Sequence, residues 1–176
     1  MKISRPASNE YDSAFERYVS RVPEDDVLPA LERQPAELRA AVGSLSPERA
    51  GYRYAPGKWS VRELVGHVTD SERIFGYRAL CVARGEAAAL PGFEQTDYAA
   101  HAGHDRYALP DLLAEFEAVR RANVSMLSHL DENAVLRIGK ANGLPISVRA
   151  LAYVMVGHVR HHLAVLADKY GIRAAG

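Results

Sequence analysis

Segments with helical periodicity dominate this chain, and its glycines and prolines fall between those segments rather than between alternating strands. The clearest helix start lies at Ser60. Ser60 and Glu63 form a capping-box pattern there, and Trp59 can pack on Leu64 as a hydrophobic staple. The pattern predicts a long helix that runs from Ser60 to about Arg84.

The same signals predict the other elements. We expect a short helix over residues 11–22, and one or two short helices over 25–45 with Pro29 near a start and a break at Pro35. Long helices are expected over 109–129, and over 147–170 between a Ser147 cap and a Gly171 stop. Residues 46–59 are assigned to a loop, 85–105 to an irregular or briefly helical connection over a site, and 131–145 to a polar connection that suits a small hairpin. Amphipathic helices with uneven connections predict an all-α fold, an antiparallel four-helix bundle.

The composition narrows the possible partners. Lys plus Arg and Asp plus Glu both number 22, so the chain has no strong field to attract nucleic acid or an anionic membrane. The single cysteine, Cys81, has no intramolecular disulfide partner, and the N-terminus lacks the apolar stretch of a secretory signal. No apolar run approaches the length needed to cross a bilayer. We therefore expect a soluble cytoplasmic protein that binds neither nucleic acid nor a membrane.

The last predicted helix carries three histidines within the stretch VGHVRHH, residues 156–162. A helix turns about 100° per residue, so the direction of each side chain around the helix axis can be measured from Arg149. Arg149 is taken to point to solvent, because arginines are mostly exposed and a second one, Arg160, lies only about 20° from it. His158 then falls at about 180° and His162 at about 220°, whereas His161 falls near 120°. His158 and His162 therefore face the core, and His161 lies at the margin.

Two imidazoles four residues apart can reach one metal ion, although such pairs also occur without a metal. A third candidate ligand, His67, lies at the border of the apolar face of the helix that starts at Ser60. Ser71, Ile74 and Arg78 follow it at helical spacing. Polar residues on the inward-facing edge of a helix indicate that they face a polar group or water inside the protein. The alternative is that this edge of the helix lies at the solvent-exposed surface.

At these residues the chain resembles the DinB family of four-helix-bundle proteins, and within it the YfiT-like group described as metal-dependent hydrolases. The resemblance rests on PGKWSVRELVGHVTDSE at 56–72, on YR at 77–78 and on GHVRHHLAVL at 157–166. It implies a single DinB-like domain over residues 27–176, preceded by an N-terminal extension over 1–26. It also implies a divalent metal, with zinc or nickel expected, on His67, His158 and His162. A homodimer is expected by analogy with the family.

Three protein nitrogens leave a coordination position open, as in catalytic metal sites. Asp70, one turn after His67, could accept the free ring N–H of a ligand histidine or a proton from metal-bound water, or be a solvated surface carboxylate. Arg78 could bind a substrate carboxylate or form a salt bridge to a neighbouring helix. His101 and His104 are further candidates for a fourth ligand. Glu63 is assigned to the helix cap and Glu72 to the surface.

Three alternatives for function are open, and the resemblance implies the first two. The first is transfer of a low-molecular-weight thiol, of the bacillithiol type, to a small electrophile at the metal. The second is metal-dependent hydrolysis of a small amide or ester, and the third is a non-catalytic metal-binding or metal-free bundle. Peptide hydrolysis of the His-Glu-x-x-His type is not expected, because Val159 follows His158 where that motif requires glutamate.

Overall fold

Four long helices form the frame of the structure, a computed structural model that describes residues 2–173. In chain order the helices are α1 (Glu16–Val19), α2 (Leu28–Val42), α3 (Pro47–Ala50), α4 (Val61–Ala83), α5 (Gln95–Ala102), α6 (Leu109–Ser128), α7 (Glu132–Leu136) and α8 (Val148–Tyr170). Short 3-10 helices cover Ser13–Phe15 and His104–Arg106. Within this described range, each helix is too short or too polar to cross a membrane. The expected all-α four-helix bundle is confirmed.

The helix caps predicted from the sequence are present. The Ser60 hydroxyl accepts a hydrogen bond from the backbone N–H of Glu63, and the Glu63 carboxylate accepts one from the N–H of Ser60. At α8, the Ser147 hydroxyl accepts from Ala150 N, and Gly171 ends the helix with a left-handed φ of 65°. These local interactions fix the ends of the two helices that carry the histidines.

Two details of the predicted helices are wrong. Residues 47–50, assigned to a loop, form the short helix α3 behind a Ser46 cap. The expected break at Pro35 does not occur, because α2 continues through it. Proline has no N–H to donate to the carbonyl of Leu31, and the side chain of Arg120 on α6 donates to that carbonyl instead, at 3.3 Å. A partner from another helix thus satisfies the carbonyl that Pro35 leaves free.

Contacts between side chains define the order of the bundle. α2 packs against α6 and α8, and α4 packs against the same two helices. α4 and α6 run in the same direction, because Glu72 pairs with Arg120 and Gly76 packs on Asn123 one turn further along. α2 is antiparallel to α6, and α4 is antiparallel to α8. Two helices therefore run in each direction, with like-directed helices as neighbours.

The polar connection before α8 contains the expected hairpin. Strands β1 (Ile138–Ala141) and β2 (Leu144–Ser147) pair antiparallel, with Ala141 opposite Leu144. The two turn residues, Asn142 and Gly143, have φ values of 54° and 75°. Positive φ at both central residues is the geometry of a type I′ turn, which Asn-Gly favours.

Residues 2–26, hereafter the N-terminal segment, pack along α8 and join the hydrophobic core. Its apolar residues with almost no exposed surface are Ile3, Val19 and Val22. Glu10 accepts hydrogen bonds from Arg149, and Glu24 accepts two from Arg160, at 2.8 and 2.5 Å. The helix face that the sequence analysis took as solvent-exposed is therefore covered by the N-terminal segment, and each arginine has an acidic partner there.

Candidate metal centre

Three histidines from two antiparallel helices converge at the centre of the bundle. The Nε2 atom of His158 lies 3.2 Å from Nε2 of His67 and 3.2 Å from Nε2 of His162. One ring nitrogen from each histidine lies within 4.8 Å of the other two. The residues are 2, 4 and 8% exposed for His67, His158 and His162, respectively. The structure therefore brings together the three residues that the sequence analysis selected.

The donor set fits a divalent metal ion better than hydrogen bonds alone. A neutral imidazole has a single acceptor nitrogen with one lone pair, so Nε2 of His158 can accept from only one of its two neighbours. In a tetrahedral site with metal–nitrogen bonds of about 2.0 to 2.1 Å, the ligand nitrogens lie about 3.3 Å apart. Two of the three spacings between these nitrogens, from His158 to His67 and from His158 to His162, are 3.2 Å and match that geometry.

Burial keeps these histidines in the form that binds metals. Removal from water lowers the pKa of His67 to about 4, and the charges of His104 and His161 act in the same direction. Burial likewise holds the pKa of both His158 and His162 well below the ordinary value, and neighbouring imidazoles add to the effect. At neutral pH the rings are uncharged, so their lone pairs are available to a cation.

Aromatic side chains surround the histidine cluster. The ring of Trp59 lies 4.6 Å from that of His67, between centroids. Tyr18 and Phe75 approach the ring of His158 edge-on, at 5.4 and 5.5 Å. The sequence analysis gave Trp59 only the role of a staple on Leu64 and gave Tyr18 none. These rings limit the orientations that the imidazoles can adopt and keep bulk water away from them.

Asp70 lies beside His104, its carboxylate oxygen 3.8 Å from Nε2 of that residue. His104 packs so closely on α4 that a Cβ on Gly66 would lie 2.2 Å from its ring. Within residues 2–173, Asp70 makes no hydrogen bond to the three clustered histidines, and neither His101 nor His104 belongs to the group of converging ligand atoms. The role of Asp70 in proton transfer stays a prediction.

One side of the histidine cluster opens into a cavity of about 260 Å³, here called the Arg78 cavity. Residues of α4 that line it are His67, Ser71, Phe75 and Arg78, and His158 lines it from α8. Ile74, which the sequence placed in this stripe, does not line the cavity, and Phe75 does. The polar stripe therefore lines a cavity beside the histidines.

A second cavity, of about 380 Å³, lies at the other histidine of the cluster and is here called the Trp59 cavity. Trp59, His162 and Gln95 are among its lining residues. Gln95, the first residue of α5, also lines the Arg78 cavity, so the connection over residues 85–105 reaches both spaces. A larger cavity of about 460 Å³ between α2 and α6 has none of the histidines in its lining. The clustered histidines therefore line the Arg78 cavity and the Trp59 cavity, and not this larger one.

The assignment of Glu72 to the surface is wrong. Glu72 is 2% exposed, and its carboxylate accepts two hydrogen bonds of 2.9 Å from Arg120, which is 1% exposed. Arg120 also donates to Gln34 on α2 at 2.7 Å, so the pair connects three helices. The sequence signal for the burial of Glu72 was Gly76, one turn further along α4, because a glycine inside a helix often marks the close approach of another element.

Comparison with known proteins gives consistent results. The family model of the DinB superfamily matches residues 30–166. A protein of Oceanobacillus iheyensis named as a candidate metal-dependent hydrolase is 27% identical over 139 residues, which cover 78% of this chain and 79% of the relative. A protein of Geobacillus thermodenitrificans with the same type of name is 25% identical over 141 residues, 78% of each chain.

The fold has a solved counterpart in YfiT from Bacillus subtilis, described as a probable metal-dependent hydrolase with an unusual four-helix bundle topology. The TM-score is 0.74 at 21% identity, over 82% of this chain and 86% of YfiT. This likeness supports the helix order found here. With the family match over most of its length, the chain belongs to the DinB superfamily.

Proposed function

We propose that this protein is a metal-dependent enzyme acting on small molecules, with a divalent ion, zinc or nickel, held by His67, His158 and His162. The observation that carries the proposal is the convergence of three buried, uncharged imidazoles between two cavities. When bound, such an ion lowers the pKa of a coordinated water or thiol and so supplies a nucleophile at neutral pH. The names of the two curated relatives support metal dependence.

The residues around the cluster have distinct proposed roles. Trp59 orients the ring of His67, and the aromatic walls exclude water from the reacting groups. Burial raises the pKa of Asp70, whereas the charges of His104 and Arg73 lower it. We assign to Asp70, paired with His104 and one turn from His67, the role of accepting a proton. Arg78 orients the substrate from the far end of its cavity.

The first candidate reaction is transfer of a low-molecular-weight thiol of the bacillithiol type to a small electrophile. Two cavities that meet at one histidine cluster favour it, because a transfer reaction needs separate places for donor and acceptor. In this proposal the thiol sulfur forms a bond to an electrophilic carbon, and the electron pair of the breaking bond leaves with the displaced atom, which is then protonated.

The second candidate is hydrolysis of a small amide or ester, and the names of the two curated relatives favour it. Here the nucleophile is water, and the bond between the acyl carbon and the leaving nitrogen or oxygen breaks. The same cavities would then hold the two halves of one substrate. The two candidates differ in a single observable, the requirement for an added thiol.

Product analysis with and without thiol separates the candidates. The full chain, loaded with zinc or nickel, is incubated with a small epoxide or a small ester, and products are identified by mass spectrometry. We expect a thioether product from the epoxide only when thiol is present, and loss of that product in His158→Ala. Ester hydrolysis without thiol would establish the second candidate instead. Metal-loaded protein with no turnover of either substrate would contradict an enzymatic role.

The assembly and organisation of the chain are also proposals. We propose one DinB-like domain over residues 27–176, preceded by an N-terminal extension over residues 1–26, and a cytoplasmic homodimer. Light scattering on the purified chain tests the dimer, for which a mass near 39 kDa is expected, twice the 19.3 kDa of one chain. A mass of one chain would contradict it.

A further inference from the structure

We infer that the Arg78 cavity selects small substrates bearing a carboxylate, that Arg78 binds this carboxylate, and that the N-terminal segment completes the binding site. For the reaction, the inference rests on the proposed function. Binding of the carboxylate itself does not require the metal, because Arg78 is not a metal ligand, and the two ideas can therefore fail separately.

Arg78 is a buried cation whose guanidinium carbon lies 5.9 Å from the centre of the Phe93 ring and which lacks an acidic partner within residues 2–173. It is 5% exposed, yet its guanidinium makes one hydrogen bond, from Nη2 to the carbonyl oxygen of Pro91 at 2.7 Å. No carboxylate of residues 2–173 forms a salt bridge with it, so the alternative of a link to a neighbouring helix does not hold. A guanidinium has five N–H donors, and a buried charge without a counter-ion is costly. A bound anion would complete these interactions.

The path from Arg78 to the histidines carries a second unpaired group. The Ser71 hydroxyl is fully buried and has no hydrogen-bond partner, although the residue lines the cavity. Ser71 lies between His67 and Arg78 on α4, and long helical side chains tilt towards the helix N-terminus, which directs Arg78 towards the histidines. The Ser71 hydroxyl is thus an unpaired polar group on α4 between Arg78 and the histidines.

The N-terminal segment forms the opposite wall of the cavity, with Phe15, Arg17 and Tyr18. It lies against α8 so closely that a Cβ on Gly157 would be 2.0 Å from the carbonyl oxygen of Tyr18. These wall residues precede position 30, where the family match begins. Part of the site is therefore built by a segment outside the matched region, which makes it a determinant of substrate choice in this chain.

The charges and size of the cavity favour a small organic anion. Arg17 and Arg78 face one acidic residue, Glu94, which is exposed at the start of α5. Asn142 adds an amide that can donate, and the rings of Phe15 and Phe93 provide apolar surface. A volume of about 260 Å³ is below the roughly 300 to 1,000 Å³ of pockets for drug-sized ligands. A carboxylate on a compact, partly apolar body fits these walls.

The test is a titration of the full chain with 4-fluorobenzoate, followed by fluorine NMR, with uncharged 4-fluorobenzamide as the matched probe. We expect saturable binding of the benzoate and about 10- to 100-fold weaker binding of the benzamide, as for loss of a hydrogen bond to a charged group. Arg78→Met should weaken benzoate binding by a similar factor. Arg17→Gln, on the exposed wall, should weaken it about two- to fivefold.

A variant at the metal centre separates this inference from the proposed function. His162 does not line the Arg78 cavity, so His162→Ala should still bind 4-fluorobenzoate within about threefold of wild type. Loss of binding in this variant, or equal binding in Arg78→Met, would assign the carboxylate to the ion and overturn the inference. Equal affinity of wild type for benzoate and benzamide would overturn it without any variant, even if Arg78→Met does not fold. Benzoate binding in a protein that takes up no metal would refute only the proposed function.

Discussion

Replacing Arg120 with methionine is expected to lower the free energy of unfolding by about 3 to 5 kcal/mol. Arg120 makes two hydrogen bonds to Glu72 and one to Gln34, and both members of the ion pair are almost completely buried. The substitution leaves the carboxylate of Glu72 in the core, with the side chain of Asn123 as a remaining donor at 2.8 Å. The uncompensated charge, rather than the lost contact, sets the size of the effect.

The assay is urea unfolding of wild type and variant, followed by circular dichroism. For a chain of this length, the loss corresponds to a decrease in Tm of about 6 to 20 °C. Arg73→Met is the matched control, because Arg73 is adjacent to Glu72 and forms an ion pair of 2.8 Å with Glu115 in which both side chains are nearly half exposed. It should cost less than about 0.5 kcal/mol.

A double variant separates charge burial from packing. Glu72→Met combined with Arg120→Met removes both charges, so it should be more stable than Arg120→Met alone. A loss below about 1 kcal/mol for Arg120→Met would refute the reasoning, because an unpaired buried carboxylate costs more than that. A double variant no more stable than the single one would show that packing, not charge, is responsible.

Two further perturbations test the docking of the N-terminal segment. The hydrogen bond from Arg160 lowers the pKa of Glu24 from 4.5 to about 2, so this pair stabilises the fold fully above pH 4.5 and loses its effect as the pH falls towards 2. The full pKa difference corresponds to roughly 3.4 kcal/mol of stability, which solvent screening reduces to about 1 to 2 kcal/mol. Glu24→Gln should therefore lower the free energy of unfolding in urea by about 1 to 2 kcal/mol at pH 7, and by less as the pH falls below 4.5. A loss of stability that stays the same at all these pH values would contradict the assignment. Gly157→Ala should cost about 1 to 3 kcal/mol and expose the segment to limited proteolysis, because the new methyl group would collide with the backbone of Tyr18. Gly51→Ala should have neither effect, because its methyl group would come within 3.2 Å only of the flexible end of Arg62 and would meet backbone oxygens at an ordinary 3.6 Å.

Local signals were sufficient to predict the long helices and part of the site. The capping box at Ser60, the Ser147 cap and the small hairpin within residues 131–145 each depend on residues a few positions apart, so sequence alone indicates them. The inward direction of His158 and His162 follows from helical periodicity within one element. Placing His67 beside them required a relation between two helices, and the resemblance to the DinB family supplied it.

Features that depend on distant residues could not be predicted in this way. Glu72 was assigned to the surface because its partner, Arg120, lies 48 positions away on another helix. α2 was expected to break at Pro35, since nothing nearby indicates that Arg120 would satisfy the free carbonyl. The sequence likewise gave no sign that the N-terminal segment covers the arginine face of α8 or forms a wall of the cavity.

The most direct test of the central claim is elemental analysis of the purified chain and of three single variants, His67→Ala, His158→Ala and His162→Ala. His101→Ala, at an exposed histidine outside the cluster, is the control. With one three-histidine site per chain, wild type and control should carry about one equivalent of zinc or nickel, and each cluster variant less than about a tenth. Equal metal content in all five proteins would contradict a shared site on these three histidines.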